Sequence, residues 1–380
     1  MSSQMESIKE ESTMQASVYT EDYDIQFLES SENSDRSDVA EEYWSACEKY
    51  KDDFISPDIK EEPILSIAND RYTIYPIKFK DIWDNYKKQL AAHWVVEEIS
   101  LAEDISQWVT LPIYIRLFIL SQLSFFSSFD VIVNNNINEN FLNQLHCMEA
   151  ECAYGAQVNM ENAHSEMYSI LIYTYVKDRD LQDKLINSVK TLNGVKKKAE
   201  WCEKWIQSDK PFAHKLVAFS IVEAIFFSGA FASIFWVKTL PGGPLNGLRT
   251  ANKFIAKDEH MHVELACIIY SHLKNRICER VIHDMFREAV EIEHVFIDES
   301  LPKNLAGMNS DLMLQYIQYC ADQLLVQLGY KKLYDVTNPF EFMKKIDNYI
   351  KQDFFNDRND VYTNASIGNT REWVIMDDGY

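Results

Sequence analysis

The chain has 380 residues, 47% of them hydrophobic, with only 10 glycines and 9 prolines. So few turn-formers exclude a β-sandwich, a barrel or a doubly wound nucleotide fold and point to long helices with few connections. The net charge of −22 argues against a nucleic-acid surface or a polybasic membrane contact, and seven cysteines without a C-x-x-C pair make neither a zinc framework nor a disulfide scaffold.

The opening, MSSQMESIKEEST, has no basic n-region and no apolar h-region, so no secretory signal is expected and the location expected is cytoplasmic. Residues 1–62 hold 18 Asp/Glu and 5 Lys/Arg, a net of −13, which leaves about −9 for the rest. Such a stretch buries too little apolar surface to offset its ordering entropy. Residues 1–65 are therefore expected to form a disordered acidic arm, 66–345 a helical domain and 346–380 a flexible tail.

Helical spacing of apolar residues runs from about 80 to 335. The stretch 112–140, with IYIRLFILSQLSFFSSFDVIV, is apolar nearly all round and should be buried. Further helices are expected over 142–177, 212–238, 247–274 and 310–329, and PGGP at 241–244 is a clear stop. Residues 218–237 (AFSIVEAIFFSGAFASIFWV) are long enough to cross a bilayer. Glu223 inside that run would be costly in lipid, so the run reads as a helix buried in a large bundle. A buried ionised carboxylate must be paired or must bind a metal.

Two E-x-x-H motifs lie in apolar surroundings: Glu161-Asn-Ala-His164 and Glu259-His-Met-His262. Residues i and i+3 share a helix face, about 5–6 Å apart, so each pair can reach one ion. Carboxylate and imidazole together suit iron or manganese. A ferritin-like bundle combines two such motifs with one carboxylate from each of two further helices. Glu223 supplies one, and Asp104, in EEISLAEDISQW, is available as the other. A third match, Glu291-Ile-Glu-His294, has charged neighbours and reads as a solvated face. The competing reading of the whole set is salt-bridged core polar groups. Tyr168 follows His164 by four residues on the same face. Phe227 and Phe231 lie on the Glu223 face, so the tyrosine could hold a radical in a phenylalanine-lined pocket, the competing reading being an ordinary core tyrosine.

With these motifs in place, the chain resembles the small subunit of class I ribonucleotide reductase, in its eukaryotic and viral branch. The likeness covers about 66–380. It rests on YPIKFKDIWDNYKK (75–88), HWVVEEISLAED (93–104), MENAHSEMYS (160–169), VKKKAEW (195–201), VEAIFFSGAFASIFW (222–236), KDEHMH (257–262), LAGMNSDLMLQYIQYCADQLLVQLGY (305–330) and NPFEFM (338–343). The resemblance implies an all-α, ferritin-like bundle with two iron ions and O₂-dependent formation of a tyrosyl radical. Asp104, Glu161 and His164 would bind one iron, and Glu223, Glu259 and His262 the other. Tyr168 would carry the radical. Trp83, Asp258 and, in the tail, Tyr362 would pass it on. VIMDDGY, residues 374–380, would dock on the large catalytic subunit, and the small subunit would pair as a homodimer with no nucleic acid or membrane partner. Lys257, Ala156, Asn159, Tyr173 and Ala224 depart from the family pattern without touching a ligand or Tyr168.

Overall fold

The computed structural model describes residues 48–346, except 57, 241–244, 303, 304, 306 and 345. Eleven α-helices of seven residues or more organise this part, besides a four-residue helix, Ser188–Thr191. They are α1 (Lys80–Ala92), α2 (Ala102–Trp108), α3 (Ile113–Asn136), α4 (Met148–Tyr175), α5 (Arg179–Ile186), α6 (Asn193–Ile206), α7 (Phe212–Ile221), α8 (Ser228–Trp236), α9 (Asn246–His272), α10 (Glu279–Ser300) and α11 (Ser310–Gln327). Among the described residues there is no strand beyond a single bridge between Phe54 and Ile277.

The helices start and stop where local chemistry dictates. Pro112 precedes α3 and Pro211 precedes α7, where a missing N–H costs nothing. The Asp178 and Asn309 side chains accept from the first-turn N–H groups of Leu181 and Leu312. At the end of α11, Gly329 takes a φ of +86°, and Tyr330 N–H reaches back to the Leu325 carbonyl. That left-handed residue is why a glycine stands there.

The apolar run expected to be a buried helix is α7 and α8, joined by a π-helical turn, Val222–Phe226. Of its most apolar 18 residues 94% are buried within the protein, which accounts for its composition without a bilayer. α3 packs on α4, α1 and α7 pack on α9, and α10 packs on α6 and α11. The central helices α3, α4, α7–α8 and α9 form a ferritin-like bundle, as expected, with their inward faces filled by Phe, Leu and Ile.

The boundary of the arm differs from expectation. Between 48 and 65 several of the described residues anchor on the bundle rather than extending from it. Phe54, Ile64 and Leu65 are buried, and the buried Glu62 carboxylate accepts from the main-chain N–H groups of Lys274 and Asn275. Net charge over a window hid these anchors, because a few apolar side chains and one satisfied carboxylate outweigh a surplus of solvated acids. The arm before 48 and the tail beyond 346 lie outside the described residues.

Candidate metal centre

Four bundle elements bring acids and imidazoles to one buried place. On α4, Glu161 and His164 are fully buried, one helical turn apart. On α9, Glu259 and His262 repeat the arrangement. The π-turn carries Glu223. One ligand atom from each of Glu161, Glu223, Glu259 and His262 lies within 4.8 Å of the others. His164 Nδ1 is 3.1 Å from Glu259 and 3.3 Å from Glu161. His262 Nδ1 is 3.0 Å from Glu161 and 3.1 Å from Glu259. Gln157, one turn before Glu161, donates to both Glu161 and Glu223 at 3.3 Å.

Asp104 does not join this group. It is buried at the start of α2, where its two oxygens accept from Gly247 N–H at 2.9 Å and Leu248 N–H at 2.8 Å. Tyr175 Oη donates to it at 2.7 Å. Asp104 therefore caps the N-terminus of α9 from a neighbouring helix, and its acceptor capacity is taken up by the orphan donors of that helix. Gly247 permits the approach: a Cβ there would lie 2.6 Å from the Ser100 carbonyl.

The fourth element contributes a residue that sequence reasoning missed. Asp130 on α3 is buried, its Oδ2 has no hydrogen-bond partner, and its charge acts on Glu161, His164, Glu259 and His262. The signal was present in the sequence. Asp130 is a lone acid in an apolar helix, the same feature that singled out Glu223.

The electrostatics show how poorly these groups tolerate one another without cations. Burial first, then repulsion from neighbouring carboxylates, raises Asp130 and Glu223 well above the usual carboxylate range. His262 is pushed up to about 9, because Glu161 and Glu259 outweigh its burial. Glu259 is held low despite burial by bonds from Glu223, His262 and His164. Despite these short contacts, buried atoms without a hydrogen bond remain on Asp130, Glu161, Glu223, His164 and His262. Four carboxylates and two neutral imidazoles carry a charge of −4, which two divalent cations would balance. The donor set therefore fits a pair of oxygen- and nitrogen-loving metal ions.

Tyr168 is buried beside this cluster. Its ring stacks on Phe126 with centroids 4.6 Å apart and an interplanar angle of 2°. Phe227 and Phe231 pack on Phe126 at 5.5 and 4.8 Å. The Tyr168 hydroxyl has no hydrogen-bond partner. Burial raises its pKa well above the ordinary value, and Asp130 is the charged group that acts on it most.

A line of contacts leads outward from His164. Its Nε2 lies 3.0 Å from Asp258 Oδ2, and the same oxygen accepts from Trp94 Nε1 at 2.7 Å. A proton on Nε2 leaves the Nδ1 lone pair facing the carboxylates, the tautomer a metal ligand needs. Trp83 is not on this line. It is half-buried, against Tyr86 at 5.0 Å and Tyr75 at 6.4 Å, with the Lys87 ammonium over its ring. The two tryptophans stand eleven residues apart on either side of the end of α1, and only packing tells them apart. Tyr362 and residues 374–380 lie outside the described residues. Of the third motif, Glu291 is exposed and His294 half-buried, but Glu293 between them is fully buried.

A cavity of about 160 Å³ borders Glu223 and Glu259 and runs past Ala224 towards Tyr319, Cys320 and Gln323. It is large enough for small molecules to approach the carboxylates.

Residues 71–339 match the family model described as ribonucleotide reductase, small chain. A ribonucleoside-diphosphate reductase small chain of Acanthamoeba polyphaga mimivirus is 52% identical over 374 residues, covering 98% of this chain and 89% of that protein. The small subunit from Dictyostelium discoideum is 47% identical, covering 83% and 92%. Among solved structures, the ribonucleotide reductase Rnr4 homodimer from Saccharomyces cerevisiae superposes with a TM-score of 0.68 at 34% identity, covering 84% and 99% of the two chains. With a buried carboxylate–histidine cluster in a ferritin-like bundle, and a family match over most of its length, the chain belongs to the small-chain family of ribonucleotide reductase and is a subunit of ribonucleoside-diphosphate reductase.

Proposed function

We propose that this subunit makes and stores a radical on Tyr168 and passes it to the large subunit, which reduces the ribonucleotide. The observation that carries this reading is a buried, aromatic-packed phenol beside Asp130, on the helix that also bears Glu161 and His164. Asp130, Glu161, His164, Glu223, Glu259 and His262 would hold two iron ions, whose chemistry with O₂ supplies the oxidising power.

The chain's own residues do the rest. Burial disfavours the Tyr168 phenolate, so oxidation removes the proton together with the electron. Asp130, the charged group that acts most on Tyr168, would receive that proton. Phe126, Phe227 and Phe231 keep water from the oxidised ring. Asp258 joins His164 to Trp94 through one carboxylate oxygen, so the hole can leave along hydrogen bonds. Tyr362 and the 374–380 peptide extend this route to the large subunit. The Saccharomyces cerevisiae relative forms a homodimer, and this chain pairs likewise; exposed Val109, Ile113, Tyr114 and Leu117 offer an apolar strip for it.

The test is an electron paramagnetic resonance spectrum after adding Fe(II) and O₂ to the purified chain. Wild type should give a tyrosyl signal. Tyr168→Phe should bind the same metal and give none, since Phe keeps nearly the same volume. An undiminished signal in the variant would place the radical elsewhere.

A further inference from the structure

Lys198 on α6 and Glu293 on α10 have no part in the chemistry above, yet both are fully buried. Lys198 Nζ lies 2.5 Å from Glu293 Oε2. It sits 3.7 Å from the ring centroid of Phe125 and 3.9 Å from that of Phe296. It also donates to the main-chain carbonyl of Phe226 at 3.1 Å. Phe226 is the last residue of the π-turn that carries Glu223.

A buried ion pair is a poor means of stabilising a fold. Apolar residues of similar volume often do as well or better, because both charges must leave water. This pair does something apolar residues cannot: it offers an N–H donor to the main chain at an irregular turn. A π-turn inserts one residue into the helical ladder and shifts its hydrogen bonds, so its geometry depends on outside partners. The backbone nearby is shaped for the pair. A Cβ on Gly229, three residues past Phe226, would stand 2.8 Å from Glu293 Oε1 and 3.1 Å from Ile297 Cδ1. The glycine makes room for the carboxylate beside the turn.

We infer that Lys198, oriented by Glu293, is a positioning residue: its ammonium pins the Phe226 carbonyl and so holds the π-turn in the conformation that aims Glu223 at Glu161, Glu259 and His262. The inference rests on the reading of Glu223 as a metal ligand.

The test uses the full-length apoprotein and Mn(II), with free Mn(II) followed by electron paramagnetic resonance. Wild type, Glu223→Ala and the double variant Lys198→Met/Glu293→Met are titrated side by side, with a thermal melt of each. Wild type should bind two ions per chain. The double variant should melt at or above the wild-type temperature, yet lose about 10- to 100-fold in affinity at one of the two sites, the range expected when an outer partner of a ligand is removed. Glu223→Ala should weaken that same step further. Gly229→Ala gives a second route that keeps both charges but displaces the Glu293 carboxylate, and the same single step should weaken. If a folded double variant and Gly229→Ala both bind two ions as tightly as wild type, while Glu223→Ala does not, Lys198 is a structural cation only. If Glu223→Ala also binds normally, the ligand reading itself falls, and the positioning role with it.

Discussion

A carboxylate inside an apolar helix is costly unless something compensates it, and this bundle holds two such acids on separate elements, Asp130 and Glu223. Asp104 is equally buried but is compensated locally, by two main-chain N–H groups and a phenol. The two aspartates should thus separate cleanly on mutation. Asp130→Ala should lower bound metal from two ions per chain towards one, read by metal analysis after Fe(II) loading. Asp104→Ala should keep both ions but destabilise the apoprotein by about 2–4 kcal/mol, by uncapping α9 and orphaning the Tyr175 hydroxyl. Denaturant unfolding checks the second; loss of metal in Asp104→Ala would return it to the ligand set.

The Lys198–Glu293 pair adds a pH dependence. Burial lowers Lys198 from 10.5 to about 8, against the pull of Glu293. Burial likewise raises Glu293 from 4.5 to about 7, against Lys198. Between pH 4.5 and 7 the folded chain holds more proton at Glu293 than the unfolded chain, so this contribution to stability falls as pH rises. Between pH 8 and 10.5 the unfolded chain holds more proton at Lys198, so the contribution rises with pH. The pair therefore supports the fold least between about pH 7 and 8. The stability gained by Lys198→Met/Glu293→Met over wild type should peak there, in urea midpoints taken at pH 5, 7.5 and 10. A gap that does not change with pH would mean that neither group is shifted.

At the scale of elements, four helices each supply part of a centre that none could form alone, and α9 does two jobs. Its inner face offers Glu259 and His262 to the cluster. Asp258, one residue before Glu259, meets His164 at its outer nitrogen, Nε2, and accepts from Trp94 there. Adjacent positions on a helix point about 100° apart, which is how one turn serves both the cluster and the route out of it. Trp94→Phe keeps the ring but removes the Nε1–H bond to Asp258. It should leave the Tyr168 signal intact and abolish nucleotide reduction with the large subunit. Trp83→Phe should reduce at near wild-type rate. Comparing the two variants by radical content and product yield decides which tryptophan lies on the route; a silent Trp94→Phe would remove it.

At the scale of the whole molecule, the small subunit acts only in an assembly. The peptide 374–380 joins Val374, Ile375, Met376 and Tyr380 to Asp377 and Asp378. A segment that orders on binding pays entropy, so its affinity should be moderate and concentrated in the apolar anchors. A synthetic heptapeptide of these residues should compete with the intact subunit for the large subunit. Deleting them should abolish reduction while leaving the Tyr168 radical. Full activity of the deletion at low protein concentration would put the docking surface elsewhere.

Composition and periodicity determined the all-helical class, because few glycines and prolines and long apolar runs leave no other economical way to bury this chain; the ferritin-like bundle followed from the paired motifs and the family resemblance they carry. The E-x-x-H pairs and Glu223 were legible because i, i+3 spacing and a lone acid in an apolar run are local facts. Asp130 obeyed the same rule in a run already recognised as buried. Asp104 looked like a ligand because its sequence neighbourhood cannot show that the N-terminus of α9 sits against it. Trp83 and Trp94 are chemically identical, so only the contact with Asp258 separates them. Glu293 read as part of a solvated face until Lys198, ninety-five residues earlier, came to meet it. Which buried acids gather around one place, and which are satisfied by a helix end or a lysine, depends on contacts between residues far apart in the chain, and those are made only when the helices pack.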